Sequence, residues 1–446
     1  MYIDFIFNVF KDNKSNTSII WKGNKYSYKS LRKNIEKSIL LIDSYRIKPG
    51  TVVALVGDFS PNSIALLLAL IKKACIIVPL SGSTNTSEKQ LFDIARVEFA
   101  FIINENDDIT TEKFSQISDN EYYKLIREKE HPGLVLFTSG TTGEPKAAVH
   151  DFLALLEKFK LRRKALRTLN FLLFDHWGGL NTMFHILSNG GVVITTIDRN
   201  PENICKLIEK YKIELLPASP TFLNLMLLSG GYKNCDLSSL KITSYGTEPM
   251  PEGTLNRLNK AFPDVNLIQT YGLIELGVMS SKSKKDDSLW VKVGGKGYKT
   301  RIVDGILHIK AKSAMLGYLN ASSPFTDDGW FITGDEVLQK GNYIKILGRK
   351  SEIINVGGEK VYPQEVENVI QEMGNVAEVT VFGEKNSIIG NIVCAKIRLE
   401  TNENKKQFII NVKEFCRSKL ETFKVPVKVL LSDENLYSSR FKKVRI

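Results

Sequence analysis

Through roughly two thirds of the chain, short apolar runs alternate with stretches of mixed polarity, and that rhythm then changes twice. The runs at 52–56, 76–78 and 100–103 are β-branched and apolar, as expected of strands buried on both faces. After the first of them, Ser60-Pro61 supplies a helix N-cap followed by proline in the first turn. The solid apolar run at 64–71 makes that helix a buried one. A strand, a buried helix and a second strand predict a parallel sheet covered on both faces. Upstream, Tyr26-Ser27-Tyr28 leads into an amphipathic stretch at 31–41 that predicts the first well-packed helix. The polar stretch 104–131 reads as a surface excursion.

Alternation then resumes, with helices expected at 151–167, 180–187 and 201–211 and strands at 171–174, 192–196, 215–218, 242–245 and 267–270. From Trp290 the texture becomes short strands with glycine-rich turns, as at 299–303 and 306–309, and after Gly348 it becomes α+β. The pattern predicts an α/β protein with a large N-terminal domain, 1–348, and a small C-terminal domain, 349–446. The large domain would hold layered, mostly parallel sheets with helices, plus a β-rich subdomain.

Composition narrows the class. Hydrophobic residues make up 43% of the 446 positions, enough for a sizeable core, and 25% charged is ordinary for a globular protein. The five cysteines form no CxxC pair and read as reduced thiols in a cytoplasmic protein. The first residues lack a basic leader and a small-residue cleavage site, so no signal peptide is expected. The longest apolar run stops at Lys72-Lys73, far short of a membrane span. A net charge of +12 is compatible with an acidic partner such as a nucleotide, coenzyme A, an acidic carrier protein or nucleic acid, but the charges are spread out and read first as a Lys-rich solvated surface. There is no dense basic tract with interleaved aromatics, so no nucleic-acid partner is expected. Oligomeric state is left open.

The most distinctive stretch is Phe137-Thr138-Ser139-Gly140-Thr141-Thr142-Gly143-Glu144-Pro145-Lys146, which follows the apolar run Gly133-Leu134-Val135-Leu136. A buried strand opening into hydroxyls and bare backbone, closed by one cation, can wrap N–H groups and hydroxyls around phosphate oxygens. It is not the nucleotide P-loop: the GK pair is replaced by Pro145-Lys146, and Ala147 stands where a Mg²⁺-binding hydroxyl would be.

Four later stretches, with this loop, resemble the adenylate-forming superfamily, which comprises acyl-CoA synthetases, aryl-acid ligases and peptide-synthetase adenylation domains. They are Thr270-Tyr271-Gly272-Leu273-Ile274-Glu275; Trp330-Phe331-Ile332-Thr333-Gly334-Asp335; Gly348-Arg349 through Gly357-Gly358-Glu359-Lys360-Val361-Tyr362-Pro363; and the final segment from Ser438. Their order and spacing follow the family, and the resemblance spans the chain.

The resemblance implies ATP-dependent activation of a carboxylic acid: its oxygen attacks the α-phosphorus and pyrophosphate leaves. Both reactants are anions, so charge must be neutralised and the groups held in line. It further implies that Thr138, Ser139, Gly140, Thr141, Thr142, Gly143 and Lys146 cradle the β- and γ-phosphates, with Thr142 and Lys146 also counted as catalytic. Glu275 would hold Mg²⁺. Tyr271, followed by Gly272, would pack on adenine, and Gly246-Thr247-Glu248-Pro249 would line the adenine and acyl pockets. Asp335 would bind the ribose hydroxyls, with Arg349 beside it. In Arg440-Phe441-Lys442-Lys443-Val444-Arg445, Lys442 would be the catalytic lysine, with Lys443 the alternative by one residue. Phe441 replaces the usual glycine and Ile274 the usual Thr or Ser; the latter removes one phosphate hydrogen bond, worth about 1 kcal/mol. A mobile small domain hinged near Ser351 would rotate Gly357-Gly358 toward the site to admit a pantetheine arm.

Leu173-Phe174-Asp175-His176-Trp177-Gly178-Gly179-Leu180 resembles the segment that gates the acyl pocket, with His176 at the gate and Trp177 where amino-acid-activating members keep an aspartate. That register implies a plain fatty or aryl acid; a slip of two puts Asp175 there and admits an amino acid as substrate. The implied second reaction forms a thioester on coenzyme A or a carrier protein's phosphopantetheine. No carrier domain follows Ile446, so a separate molecule is expected to bring the thiol. The alternatives are a stand-alone amino-acid adenylating enzyme and a degenerate, non-catalytic nucleotide binder.

Overall fold

The computed structural model describes residues 2–82, 87–116, 118–138, 144–283, 288–386, 389–438 and 440–445. Two seven-stranded sheets build most of the large domain. In the first, Phe99–Ile103, Val52–Val56, Ile76–Leu80 and Gly133–Thr138 run parallel in that order. Antiparallel edges are added by Ile109–Lys113 on one side and by Lys146–Asp151 and Gly317–Tyr318 on the other. In the second, Asn266–Gln269, Ile242–Tyr245, Leu215–Ala218, Arg167–Leu169, Val192–Ile194 and Thr17–Trp21 are all parallel, and Asn24–Ser27 closes the edge as a hairpin.

The helices between them explain why both sheets are needed. In Pro61–Lys72 every residue from Ser63 to Ile71 is fully buried. Such a helix can only lie inside, and each Leu or Ile so buried contributes about 1.5–3 kcal/mol. It shares one core with Trp177–Leu187, with Val53, Leu55, Ile77 and Leu134 of the first sheet, and with Ile19 and Val193 of the second. Ser60 caps it through a hydrogen bond from Ser63 N, 3.2 Å, as the Ser-Pro pair predicts.

A third, antiparallel sheet carries Tyr271–Leu273, Gly277–Ser283, Val291–Gly294, Tyr343–Arg349, Phe331–Lys340, Ile306–Ala311 and Tyr298–Val303. After a short 3-10 turn, Lys350–Glu352, comes a five-stranded sheet with the helices Pro363–Gln371 and Lys405–Lys419 and a core of its own, from Ile354 to Val429. The fold is thus the α/β arrangement expected, with its β-rich part and small α+β part. Among the described residues no helix is long and apolar enough to cross a membrane, and the five cysteines are free.

Several elements differ from the sequence expectation. The first packed helix is Asp4–Asp12, which buries Ile6, Val9 and Phe10 at helical spacing; the helix expected at 31–41 runs Tyr28–Ser44. The surface excursion 104–131 contains the polar edge strand Ile109–Lys113 and the amphipathic helix Glu121–Glu128. The helix expected over 151–167 stops at Leu156, with a 3-10 turn at Glu157–Lys160. Lys158, Lys160, Arg162, Arg163 and Lys164 would repel one another along a continued helix, and Arg162 instead donates to Ser188 O, 2.7 Å. The strand expected at 171–174 lies earlier, at Arg167–Leu169; Phe171 and Phe174 are apolar because they pack into the core from a loop.

Candidate active site

The three sheets and the small domain converge where the sequence motifs end. Asp335 and Arg349 face each other on adjacent antiparallel strands. Arg349 Nε lies 3.3 Å from Asp335 Oδ1, and the Tyr271 hydroxyl donates to Oδ2. Asp335 N donates to Thr333 Oγ1, 3.0 Å, whose hydroxyl donates to Leu307 O, 2.7 Å. Burial pushes the Asp335 carboxyl above its usual range, and Arg349 and Tyr271 oppose that shift. Tyr271 is buried, and its phenol is driven far above its normal value by burial and then by Asp335. Its hydroxyl therefore acts here as a tether for the carboxylate. Gly272 leaves room for its partner strand, since a Cβ there would come within 3.0 Å of Val278 Cα.

Glu275 occupies the tight connection between Tyr271–Leu273 and Gly277–Ser283. Its carbonyl accepts from Met315 N, 2.7 Å, and its Oε1 from the Tyr318 hydroxyl, 2.6 Å. Lys146 Nζ stands 5.7 Å from the centre of the Tyr318 ring, which joins the phosphate-loop lysine to the Glu275 corner. Thr138 and Lys146 are cross-strand partners, so the ends of the loop lie side by side; Ser139, Gly140, Thr141, Thr142 and Gly143 fall outside the described residues. Ile274 packs against two apolar core clusters, which accounts for its departure from a hydroxyl residue.

The donor set fits Mg²⁺ held together with a nucleotide. Glu275 Oε2 has no partner among the described residues, and those residues contain no group of three or more His, Cys, Asp or Glu suited to a metal. Mg²⁺ commonly binds through one or two carboxylates plus substrate phosphates rather than in an all-protein cage. Glu275 would hold it, and the ion would supply charge neutralisation at the phosphates.

Gly246 follows the strand Ile242–Tyr245, and only glycine fits: a Cβ would lie 2.5 Å from Thr270 Oγ1 and 2.6 Å from Thr270 O. Thr247 takes a left-handed φ of 75°. Glu248 turns away toward the junction with the small domain, where its Oε1 accepts from Thr221 N, 2.7 Å, and its Oε2 from Lys443 N, 3.3 Å. Pro249 O accepts from Gln364 of the small domain, 3.1 Å.

His176 caps the helix Trp177–Leu187, and its Nδ1 accepts from Gly178 N, 3.1 Å. The proton is thereby left on Nε2. Burial, followed by the charges of Lys442 and Arg440, holds the imidazole well below its normal value, so it is neutral. Trp177 is 2% exposed, in the core against Phe152, with ring centres 6.3 Å apart. That is a core position, with the indole Nε1 against Gly277, where a Cβ would lie 3.3 Å from it, and without a hydrogen-bond partner among the described residues. Asp175 is 4% exposed and receives Arg440 Nη2 at 3.1 Å.

The segment 436–445 enters from the small domain. Burial and then Arg440 push the Lys442 ammonium down to about 8, with Glu248, Arg349 and Glu275 among the charges it feels. Among the described residues its Nζ has no ion pair or hydrogen bond. Lys443 points the other way: its Nζ lies 2.8 Å from Glu367 Oε2, which also receives Arg445 Nη2 at 3.0 Å. Of the two candidate lysines, Lys442 is therefore the one at the cleft. Phe441 has a left-handed φ of 50°, the conformation a glycine adopts freely. Ser351 is exposed in the 3-10 turn that joins the two domains.

With this geometry in view, sequence comparison decides the lineage. The profile of the AMP-binding enzyme family matches residues 7–319, and that of the AMP-binding enzyme C-terminal domain matches 365–440. The chain belongs to the AMP-binding enzyme family. An indoleacetate–CoA ligase from Aromatoleum aromaticum is 27% identical, covering 94% of this chain and 91% of the relative. A 2-succinylbenzoate–CoA ligase from Listeria monocytogenes is 24% identical over 94% and 92%. Among solved structures, the anthranilate CoA ligase AuaEII in complex with anthranoyl-AMP superposes with a TM-score of 0.84 at 17% identity, covering 99% of this chain and 95% of that one. The amide bond synthetase McbA from Marinactinospora thermotolerans gives 0.81 at 20%, over 98% and 97%. This kinship makes the protein an AMP-forming acid–thiol ligase.

Two participants carry no local signal in the sequence. Tyr318 meets Glu275 across 43 positions, and Arg440 meets Asp175 across 265. Only the folded chain brings them together.

Proposed function

We propose that the enzyme activates a fatty or aryl carboxylic acid as its acyl-adenylate and passes the acyl group to the thiol of coenzyme A or of a carrier protein's phosphopantetheine. In the first step a carboxylate oxygen bonds to the α-phosphorus of ATP and the bond to pyrophosphate breaks. In the second, a thiolate attacks the acyl carbon and AMP leaves. The observation that carries this reading is Lys442: a desolvated cation without a partner among the described residues, beside neutral His176 and in the field of Arg440, Glu248, Arg349 and Glu275. Such a cation is suited to the charge that develops between two reacting anions.

The other roles follow from position. Asp335, with Tyr271 and Arg349 fixing its oxygens, is the ribose anchor; Glu275 is the Mg²⁺ ligand; Thr138, Lys146 and the loop between them form the phosphate cradle. Neutral His176 presents Nε2–H as a gate donor. The Lys350–Glu352 turn at Ser351 is the hinge between a domain ending at 348 and one beginning at 349. The Asp175–Arg440 pair favours a plain acid over an amino acid, because the charge an α-amine would need is already offset by a guanidinium on Oδ2, with Oδ1 alone left without a hydrogen-bond partner among the described residues. The curated relatives named above act on aryl-substituted acids, which leans the same way.

The test is acid-dependent ATP–pyrophosphate exchange without thiol, against separate pools of fatty, aryl and amino acids. Exchange is expected with a fatty or aryl pool, and coenzyme A should then yield AMP and thioester. Exchange with amino acids alone would move the substrate to the Asp175 register, and silence from every pool would favour the non-catalytic binder. Glu275→Gln should lower exchange about a hundredfold at fixed Mg²⁺ and recover partly as Mg²⁺ is raised.

A further inference from the structure

The segment 436–445 is held by two different grips. Toward the small domain they are ionic: Glu367, 1% exposed, takes Lys443 and the Nε–Nη2 edge of the Arg445 guanidinium, and Glu352 takes Arg445 Nη1 at 2.8 Å. Leu436 N also donates to Glu378 Oε2, 2.6 Å. Toward the large domain the centre of the grip is Phe441. Its ring centre lies 5.1 Å from that of Phe222 and 6.2 Å from that of Phe171, both edge-on, and Tyr437 stacks on its other side at 5.6 Å. Its carbonyl accepts from the Ser219 hydroxyl, 2.6 Å. Ser219 is also the N-cap of the helix Pro220–Ser229 that carries Phe222. A phenylalanine kept at a φ of 50° is a backbone conformation that L side chains resist, so the ring's packing opposes the turn's own preference.

We propose that Phe441 is a positioning residue for Lys442: an aromatic wedge that seats the segment in the large domain for adenylation and must withdraw before the thiol attacks. The ionic grips on Glu367 and Glu352 travel with the small domain, whereas the contacts of Phe441 with Phe222, Phe171 and Ser219, together with the Arg440–Asp175 ion pair, hold the segment to the large one. Rotation about the Lys350–Glu352 turn would therefore carry Lys442 out together with Phe441. A glycine at the same turn would supply the backbone shape without this hold, so Phe441 shifts the balance of poses toward adenylation. The proposal rests on the ligase reading, and the experiment separates the two.

Phe441→Gly is the informative variant, because glycine adopts the left-handed turn freely and only the ring is lost. Ser219→Ala, which removes the hydroxyl on the Phe441 carbonyl, is the milder second variant should the first fold poorly. Three readouts are compared with the parent chain. The first is hydrogen exchange at the amides of Phe441 and Val444 in ligand-free protein, which requires no catalysis. The second is ATP–pyrophosphate exchange with the active fatty or aryl acid pool. The third is thioester formation from the corresponding synthetic acyl-adenylate and coenzyme A. The wedge predicts faster amide exchange, about tenfold slower adenylation and an unchanged or faster thiol step. Ser219→Ala should shift the same way by less. Equal losses in both half-reactions would reduce Phe441 to ordinary packing and overturn the proposal, as would unchanged amide exchange in both variants. A parent inactive with every pool would instead sink the ligase reading, while the amide-exchange comparison would still decide whether Phe441 seats the segment.

Discussion

Asp335 and Lys442 lie at opposite sides of one site and are held on opposite principles. Asp335 is built into a sheet: a cross-strand arginine, a tyrosine hydroxyl and its own amide on Thr333 fix it before any nucleotide arrives. Among the described residues Lys442 has no such partners. Its place comes from its neighbours in sequence, with Arg440 on Asp175, Phe441 among aromatic rings and Lys443 on Glu367. The first group is preorganised and the second is delivered. On the proposed two-step cycle, a group that leaves between the reactions cannot be tied by its own charge, because breaking that tie would slow every cycle.

The largest expected effect breaks this comparison at the delivered end. Lys442→Ala should lower acid-dependent pyrophosphate exchange by about 10²–10³-fold, the usual worth of one preorganised charge at a reacting centre. Lys443→Ala should cost far less in exchange, because its ammonium serves Glu367. Equal losses from the two would mean that the segment's register differs in the working enzyme.

Next comes the anchor of delivery. Burial works against the charge of Glu367, but Lys443 and Arg445 outweigh it and hold its carboxyl below the usual range. Glu367→Ala strands Lys443, leaves Arg445 with Glu352 alone and should cost the small domain about 3 kcal/mol, read from its thermal unfolding. With a folded pKa below the unfolded value of about 4.3, the pair's stabilisation is complete above that value and fades as pH falls through the folded one. The stability gap between parent and variant should therefore close in acid; a gap constant across that range would deny the ionic origin.

At the preorganised end a smaller effect is expected. Asp335→Asn keeps the shape and loses the charge facing Arg349, so ATP should bind about tenfold more weakly, measured by calorimetry, with little change in the segment's amide exchange. Weaker seating of Phe441 in this variant would show that the two ends are coupled.

The preorganised end was also the more legible one. The order and spacing of the family-like motifs had already grouped Tyr271, Glu275, Asp335 and Arg349, and each of these lies on a strand of one antiparallel sheet or in the turn beside it. Leu215–Ala218, Ile242–Tyr245 and Pro201–Tyr211 matched to the residue because their apolar patterns are plain. The delivered end was harder. Choosing between Lys442 and Lys443 needed Glu367, which lies 76 positions away and has no pattern tying it to either. Trp177 shows a further limit: the resemblance assigns it to the acyl pocket, and the first turn of a core helix calls for the same residue, so the sequence alone does not separate the two. The helix expected over 151–167 failed because like charges outweighed periodicity there.

The smallest effect separates delivery from preorganisation by titration. Desolvation and Arg440 lower the Lys442 ammonium to about 8. The charged form is present below that pH and lost above it, so kcat/KM for adenylation should be halved near pH 8 and fall about tenfold per unit beyond. Bound triphosphate adds negative charge beside the ammonium and favours its protonated form, so the alkaline limb of kcat should lie higher than that of kcat/KM. Lys442→Arg, always charged, should remove the limb from both, even if its different shape lowers the rate. Coincident limbs that persist in Lys442→Arg would assign the titration to another group and leave Lys442 a positional role only.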